Sequence, residues 1–474
     1  MKKTKIVCTI SDIRCEVPFL QDLYDRGMNV VRMNTAHATD EGLHQLISNV
    51  REVSTSIPIL IDTKGPEIRT TTFAADFKEK CIVFEPGERV RMVGNPTGTT
   101  SHDEISMSYA NFVTDVPVGA NVLIDDGEIA FAVVAKEGDA LIAEVRNHGE
   151  LGQRKSVNVP GVSINLPSLT DKDRHNINLA IDEDIDFIAH SFVRSKQDIL
   201  DIQQILDERQ SKIKIIAKIE NQQGVDNIDE ILDVAYGVMV ARGDLGIEVP
   251  QERIPEIQRM LIRKCMVRAK PVIVATQMLH SMIKNPRPTR AEISDIANAV
   301  FAQTDAVMLS GETAYGAYPR EAVQTMAQVC REAEAEYERQ EYEMPSFFDK
   351  VSPSISSYLC KHAAIAQQSL GVKAFIIETR NGCAARMLSS YRPKGIIYAL
   401  CHDMKAVRLL SLTYGVDTEL VEASDNHFIY MGLSNLVREG KVQKDDLMAY
   451  LFGATEQGIS SLEINKAEKI LKES

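Results

Sequence analysis

Residues 213–250 read IKIIAKIENQQGVDNIDEILDVAYGVMVARGDLGIEVP, a pattern of strand, helix, strand. Residues 212–219 alternate basic and apolar side chains and stop at Glu220-Asn221. An acidic amphipathic run follows over 224–234, and then GVMVA at 237–241 forms an apolar strand that breaks at Arg242-Gly243-Asp244. Lys218 and Glu220 stand two apart on a strand, so their side chains leave one face with Cα atoms about 6 to 7 Å apart. Asp244 comes just past the next strand. If a helix joins two parallel strands, both strand ends fall on one rim, and the two carboxylates can face the same site as the lysine. One or two carboxylates, completed by phosphate and water oxygens, are a common seat for Mg2+. Gly243, lacking a Cβ, lets backbone N–H groups approach an anion. The stretch predicts a divalent metal, a fixed cation and an anion in one place. Taken alone, it also reads as a surface ion pair beside a turn.

Working outward, the same alternation recurs on both sides. Strands are expected at 4–9, 29–34, 58–62, 186–190, 271–276 and 306–309, with helices at 17–26, 40–53, 169–181, 196–208, 255–269, 290–302 and 319–337. With the opening unit this makes eight strands and eight helices, a (β/α)8 TIM barrel split into residues 1–65 and 167–340. Those two pieces together hold roughly 240 residues, close to the size of that fold. Each strand ends in polar groups: Thr9 and Ser11; Arg32 and Asn34; Asp62, Thr63 and Lys64; His190 and Ser191; Lys218 and Glu220; Arg242 and Asp244; Thr276 and Gln277; Ser310 and Glu312. Barrel active sites are built at that rim. Singly, Thr9, Thr276 and Ser310 read equally as loop caps, His190 as a core histidine and Arg32 as a surface charge.

Residues 66–166 have a different texture. Short alternating runs separated by EPGE, DDGE and KEGD turns predict an all-β domain inserted after the third barrel strand, placed to close as a lid. After the polar, Pro-containing stretch 341–353, helices and strands alternate again, predicting a C-terminal α/β domain with an open sheet over 341–474, whose last residues, 454–474, read as an amphipathic tail.

Composition narrows the class. A chain of 474 residues exceeds what one core supports. Its net charge of -14 argues against nucleic acid as a partner. No apolar run is long enough to span a membrane. The start, MKKTKIVCTI, does not read as a signal peptide, and the eight cysteines lack C-x-x-C spacing. A cytoplasmic enzyme is the expectation.

The stretches TKIVCTI, GMNVVRMN, IDTKGPEIR, VNVPG, NLPSLTDKD, SFVR, AKIENQQGVDNIDEI, VMVARGDLGIEVP, ATQML, PRPTRAEISDIANAV and DAVMLSGETAYGAYP resemble the pyruvate kinase family along essentially the whole chain. The resemblance implies phosphoryl transfer from phosphoenolpyruvate to ADP, giving pyruvate and ATP, in a homotetramer with a regulatory C-terminal domain. Position by position, it implies Lys218 as transition-state stabiliser, Arg32 as a phosphate contact, and Gly243, Asp244 and Thr276 as substrate contacts. Glu220 and Asp244 match the ligands of Mg2+ (or Mn2+). Asn34, Asp62 and the Thr63 carbonyl match K+ ligands, and Asn34, His37, Arg69 and Lys155 match nucleotide contacts. Several positions depart from the family pattern. Ala36 stands where a serine K+ ligand is usual, predicting K+ dependence with weakened affinity, and Glu67 matches members that need K+. Ser11-Asp-Ile-Arg-Cys15 replaces Gly-Pro-Ala-Ser-Arg, so nucleotide binding is expected to differ. Thr379-Arg-Asn-Gly-Cys383 resembles a phosphorylated-effector loop with two hydroxyls missing. Two other readings stay open: a Mg2+-dependent barrel lyase acting on pyruvate enolates, and a non-catalytic effector sensor.

Overall fold

The computed structural model describes residues 2–35, 38–340, 345–350, 354–422, 427–453 and 459–472. The chain opens with three strands, β1 (Lys5–Thr9), β2 (Val30–Asn34) and β3 (Ile59–Asp62). It then leaves for an insertion of nine: β4 (Ile68–Arg69), β5 (Ile82–Phe84), β6 (Arg89–Gly94), β7 (Glu104–Met107), β8 (Asn121–Ile124), β9 (Ile129–Glu137), β10 (Ala140–Val145), β11 (Gly149–Leu151) and β12 (Ser156–Asn158). It returns through β13 (Phe187–His190), β14 (Lys214–Ile219), β15 (Gly237–Ala241), β16 (Val272–Ala275) and β17 (Ala306–Leu309). Strands β1 to β3 and β13 to β17 close an all-parallel barrel, with β1 joining β17.

Strand alternation sorts the barrel side chains into two layers. Val7, Val30, Leu60, Phe187, Ala189, Ile216, Met239, Ile273, Ala306 and Met308 fill the lumen, while Cys8, Val31, Ile61, Ile188, Ala217, Val240 and Leu309 pack outward against the helices. The helices start where the sequence supplies caps. Thr170, Ser195 and Thr289 each form a reciprocal capping box with Asp173, Asp198 and Glu292. Two local readings change. The expected single helix over 224–234 is two short ones, Gln222–Asp226 and Ile228–Val234, broken at Asn227. The break at Arg242-Gly243-Asp244 is the first turn of a helix, Arg242–Glu248. Two glycines make that segment a poor helix by propensity, and only its place after β15 decides it.

The insertion buries its own core of Phe84, Met92, Ile105, Phe112, Phe131 and Leu141. Its two stalks are paired, β4 antiparallel to β12, with Arg69 opposite Ser156.

The C-terminal sheet holds β18 (Ala374–Thr379), β19 (Ile396–Cys401), β20 (Val416–Leu420), β21 (Leu447–Phe452) and β22 (Ser461–Lys466), in the order β20-β19-β18-β21-β22. The expected tail is corrected here. Residues 461–466 pair antiparallel with β21, and Leu462 and Ile464 alternate inward against the core. Six residues with two apolar positions two apart fit either period, and the exposed edge of β21 decides between them. This sheet's domain also closes the barrel floor. Leu409 and Leu412 enter the lumen cluster, and Arg392 pairs with Asp305 at 2.9 Å, both groups almost fully buried.

Candidate active site

At the other end of the barrel, the lumen rows finish in charge rather than hydrocarbon. Continuing the inward row from Val30 gives Arg32, from Leu60 gives Asp62, and from Ile216 gives Lys218 and then Glu220. These side chains form one network. Arg32 clamps Asp62 through Nε (2.9 Å) and Nη2 (2.6 Å) and reaches Thr9 Oγ1 through Nη1 at 2.8 Å. Lys218 Nζ lies 3.1 Å from Asp62 Oδ2, 2.9 Å from Glu220 Oε1 and 2.8 Å from Ser191 Oγ, which accepts from it. Glu220 Oε2 accepts the Phe192 N–H at 2.6 Å. All four charged groups are buried.

The electrostatics follow from how charge is shared. Burial disfavours the Lys218 ammonium, but Asp62 and Glu220 outweigh it and hold its pKa above the ordinary lysine value. Burial also acts on Asp62, yet Arg32 and Lys218 keep it below the usual carboxylate range. Glu220 is driven the opposite way. Burial raises it, and Lys218, though opposing, is set against the nearby charge of Asp244. Two cations therefore face three carboxylates, leaving one excess negative charge.

Asp244 sits in the first turn after β15, beside β14 in the barrel, and its field reaches Glu220, Arg32 and Lys218. Among the described residues its carboxylate has no ion-pair or hydrogen-bond partner. The neighbouring Gly243 N–H donates to Thr276 Oγ1 at 2.7 Å, and a Cβ on Gly243 would meet Thr276 only at ordinary contact distance. The protein's own packing thus does not demand glycine there. Thr276 itself holds φ +69°, a left-handed conformation that costs a β-branched residue about 1–3 kcal/mol. The Arg242 guanidinium, bonded to the Ala275 and Thr276 carbonyls and to Asp295, braces it.

The remaining sequence-selected residues are spread from the network's edge to the insertion. Asn34 is exposed at the end of β2, and the Thr63 carbonyl accepts from Ser191 Oγ at 2.7 Å. Arg69 and Lys155 stand on the lid stalks, away from the buried network, paired with Glu67 (2.8 Å) and Asp125 (2.6 Å). His37 lies outside the described residues, as does Ala36. Between stalks and rim lies a cavity of about 400 Å3 lined by Ile68, Asn158, Phe192, Asp244 and Glu248 among others.

In the sequence Ser191 reads only as a strand-end residue, with nothing local to show its contact with Lys218. The available signal was parity: in SFVR it continues the inward row of Ala189. The supporting roles of the Phe192 N–H and of Arg242 carry no sequence signal, because one is backbone and the other acts through carbonyls.

Carboxylates and fixed cations thus meet at one rim of the (β/α)8 barrel, beside the inserted β domain. The sequence profile described as pyruvate kinase, barrel domain, matches residues 1–323, and the one described as pyruvate kinase, alpha/beta domain, matches residues 358–464. A pyruvate kinase of Borreliella burgdorferi is 43% identical over 99% of this chain and 98% of its own length. One of Geobacillus stearothermophilus is 43% identical over 95% of this chain and 78% of its own length. The crystal structure of a pyruvate kinase from Cryptosporidium parvum superposes with a TM-score of 0.92 at 36% identity, covering 98% of this chain and 96% of that one. The chain belongs to the pyruvate kinase family, whose reaction moves the phosphoryl group of phosphoenolpyruvate to ADP. Members of the family are metal-dependent, and among the described residues no helix is long and apolar enough to cross a membrane.

Proposed function

We propose that phosphoryl transfer takes place between Lys218, Arg32 and a divalent cation, Mg2+ or Mn2+, held by Glu220 and Asp244. The observation carrying this reading is the charge imbalance at the rim: Glu220 raised by burial and by Asp244, and Asp244 without an ion-pair or hydrogen-bond partner among the described residues. Hard oxygen donors with one or two carboxylates suit Mg2+. When bound, the cation supplies charge compensation for the phosphoryl group and for the enolate oxygen.

The chain's own residues do the positioning. Three of the five guanidinium N–H donors of Arg32 are spent on Asp62 and Thr9, leaving two for phosphate oxygens. Lys218 spends all three of its donors on Ser191, Asp62 and Glu220. One must be exchanged for a phosphoryl oxygen, and Glu220, which also serves the cation, is the partner given up. The migrating group carries charge spread over its oxygens, so such fixed donors account for most of the catalysis available. Gly243 and Thr276 contact the pyruvate portion, and Asn34, His37, Arg69 and Lys155 contact the nucleotide, with the 66–166 domain closing over both. Domain limits at 65/66, 166/167 and 340/341, a homotetrameric cytoplasmic enzyme and a phosphorylated effector near Thr379–Cys383 complete the proposal.

K+ falls to Asn34, Asp62 and the Thr63 carbonyl. These are oxygen donors, as K+ requires, but Asp62 already serves two cations, a weak draw for a third. ATP formation from phosphoenolpyruvate and ADP, with K+ titrated into K+-free buffer, tests both parts. Activity rising with K+ and saturating only at high concentration is expected. Full activity without K+ removes the K+ site from the account, and no ATP under any condition removes the catalytic assignment.

A further inference from the structure

We propose that His190, which lies outside the barrel lumen, is a positioning residue that holds Lys218 in place through Thr63 and Ser191; the proposal rests on the role given to Lys218 above. Strand parity puts Phe187 and Ala189 in the lumen and Ile188 against the helices, so His190 continues the outer row. The ring is 1% exposed. Its Nδ1 lies 3.1 Å from Thr63 Oγ1. The same hydroxyl oxygen accepts the Ser191 N–H at 3.0 Å, and Ser191 Oγ donates to the Thr63 carbonyl at 2.7 Å. Ser191 Oγ in turn accepts from Lys218 Nζ at 2.8 Å. The ends of β3, β13 and β14 are therefore joined by a single chain of hydrogen bonds that begins behind the barrel wall and ends on the ammonium.

Each link depends on the one before it. Ser191 is tied to Thr63 twice, by its N–H and by its hydroxyl. The Thr63 hydroxyl is fixed on its outer side by the imidazole. Without the ring it can turn about χ1, leaving the buried Ser191 N–H unpaired and the Ser191 hydroxyl loosely aimed. Lys218 would keep its two carboxylates but lose the neutral acceptor that sets its third direction. The position is also a poor place for a histidine on packing grounds. Beside Thr63, its neighbours in the outer row are Ile188 and Ala217, and among the described residues Nε2 is buried with no hydrogen-bond partner. A leucine would avoid the cost of that unpaired nitrogen, so the polar ring is retained against the local preference for hydrocarbon.

His190→Leu keeps the bulk and removes the hydrogen bond, and His190→Asn keeps a polar atom near Nδ1. Supports of this kind are worth about 10- to 100-fold. His190→Leu is expected to lower kcat at least about 10-fold, with KM for phosphoenolpyruvate and Mn2+ binding little changed, and His190→Asn to recover most of the loss. Added to Lys218→Met, His190→Leu should cost nothing further, because the residue it serves is already gone. If His190→Leu does not fold, His190→Ala is compared with His190→Asn in its place. A near-normal kcat in the leucine variant, an asparagine variant as impaired as the leucine one, or a full additional loss in the double variant would each overturn the proposal. Near-normal turnover in Lys218→Met alone would instead overturn the role of Lys218 itself.

Discussion

Lys218→Met is expected to lower kcat about 100- to 1000-fold, the usual cost of deleting one preorganised charge donor at a transition state. Mn2+ binding should survive. The ammonium sits in a buried network whose other cation, Arg32, is committed to Asp62 by two hydrogen bonds, so no neighbouring charge can take its place. Methionine has nearly the same length and fills the same channel, so the loss reads charge rather than volume. Removing the cation also leaves Asp62 paired with Arg32 and frees Glu220 from its only ion pair among the described residues. Neither change takes a ligand from the metal. Steady-state kinetics with a Mn2+ titration on the same preparation separate the two effects. Turnover within about tenfold of wild type would remove Lys218 from the chemistry.

Arg392→Met is expected to destabilise the protein by about 3–5 kcal/mol, the cost of stranding one partner of a buried ion pair, while leaving kcat nearly unchanged. Arg392 is 2% exposed and grips Asp305 with two N–H groups, at 3.2 and 2.9 Å. It also donates twice to the Gln303 carbonyl and stacks over Tyr414, 4.8 Å from the ring centre. Asp305 stands just before β17, and it accepts the Val272 and Tyr414 N–H groups as well. The pair therefore joins the C-terminal domain to two barrel strands at the floor, the opposite end from Lys218. Methionine leaves the Asp305 carboxylate buried with two amide donors and, among the described residues, no direct ion pair. Urea unfolding measures the loss, and a change below about 1 kcal/mol would place the domain junction's strength in the apolar plug of Leu409 and Leu412 instead.

Much of this arrangement is legible in the sequence. The barrel could be read because eight apolar runs each ended in polar residues, and parallel strands oblige those ends to share a rim. The pairing of Lys218 with Glu220 followed from two-residue spacing alone, and the structure closes it at 2.9 Å. Parity, carried one step further, also separates Ser191, which points inward, from His190, which points outward. What stayed hidden was set by tertiary surroundings. The helix Arg242–Glu248 has two glycines and little propensity of its own. β22 needed the free edge of β21 to declare its period. The left-handed backbone of Thr276 depends on Arg242 reaching across to its carbonyl, a contact no local pattern encodes. Nor does sequence show that the Gly243 N–H is engaged by Thr276 Oγ1.

Convergence of Glu220 and Asp244 on one divalent ion is tested most directly by Mn2+ binding, followed by electron paramagnetic resonance, in the wild type, Glu220→Gln and Asp244→Asn. The account predicts one tight Mn2+ per wild-type chain and affinity reduced about tenfold or more in each variant. Wild-type affinity in both variants would contradict it.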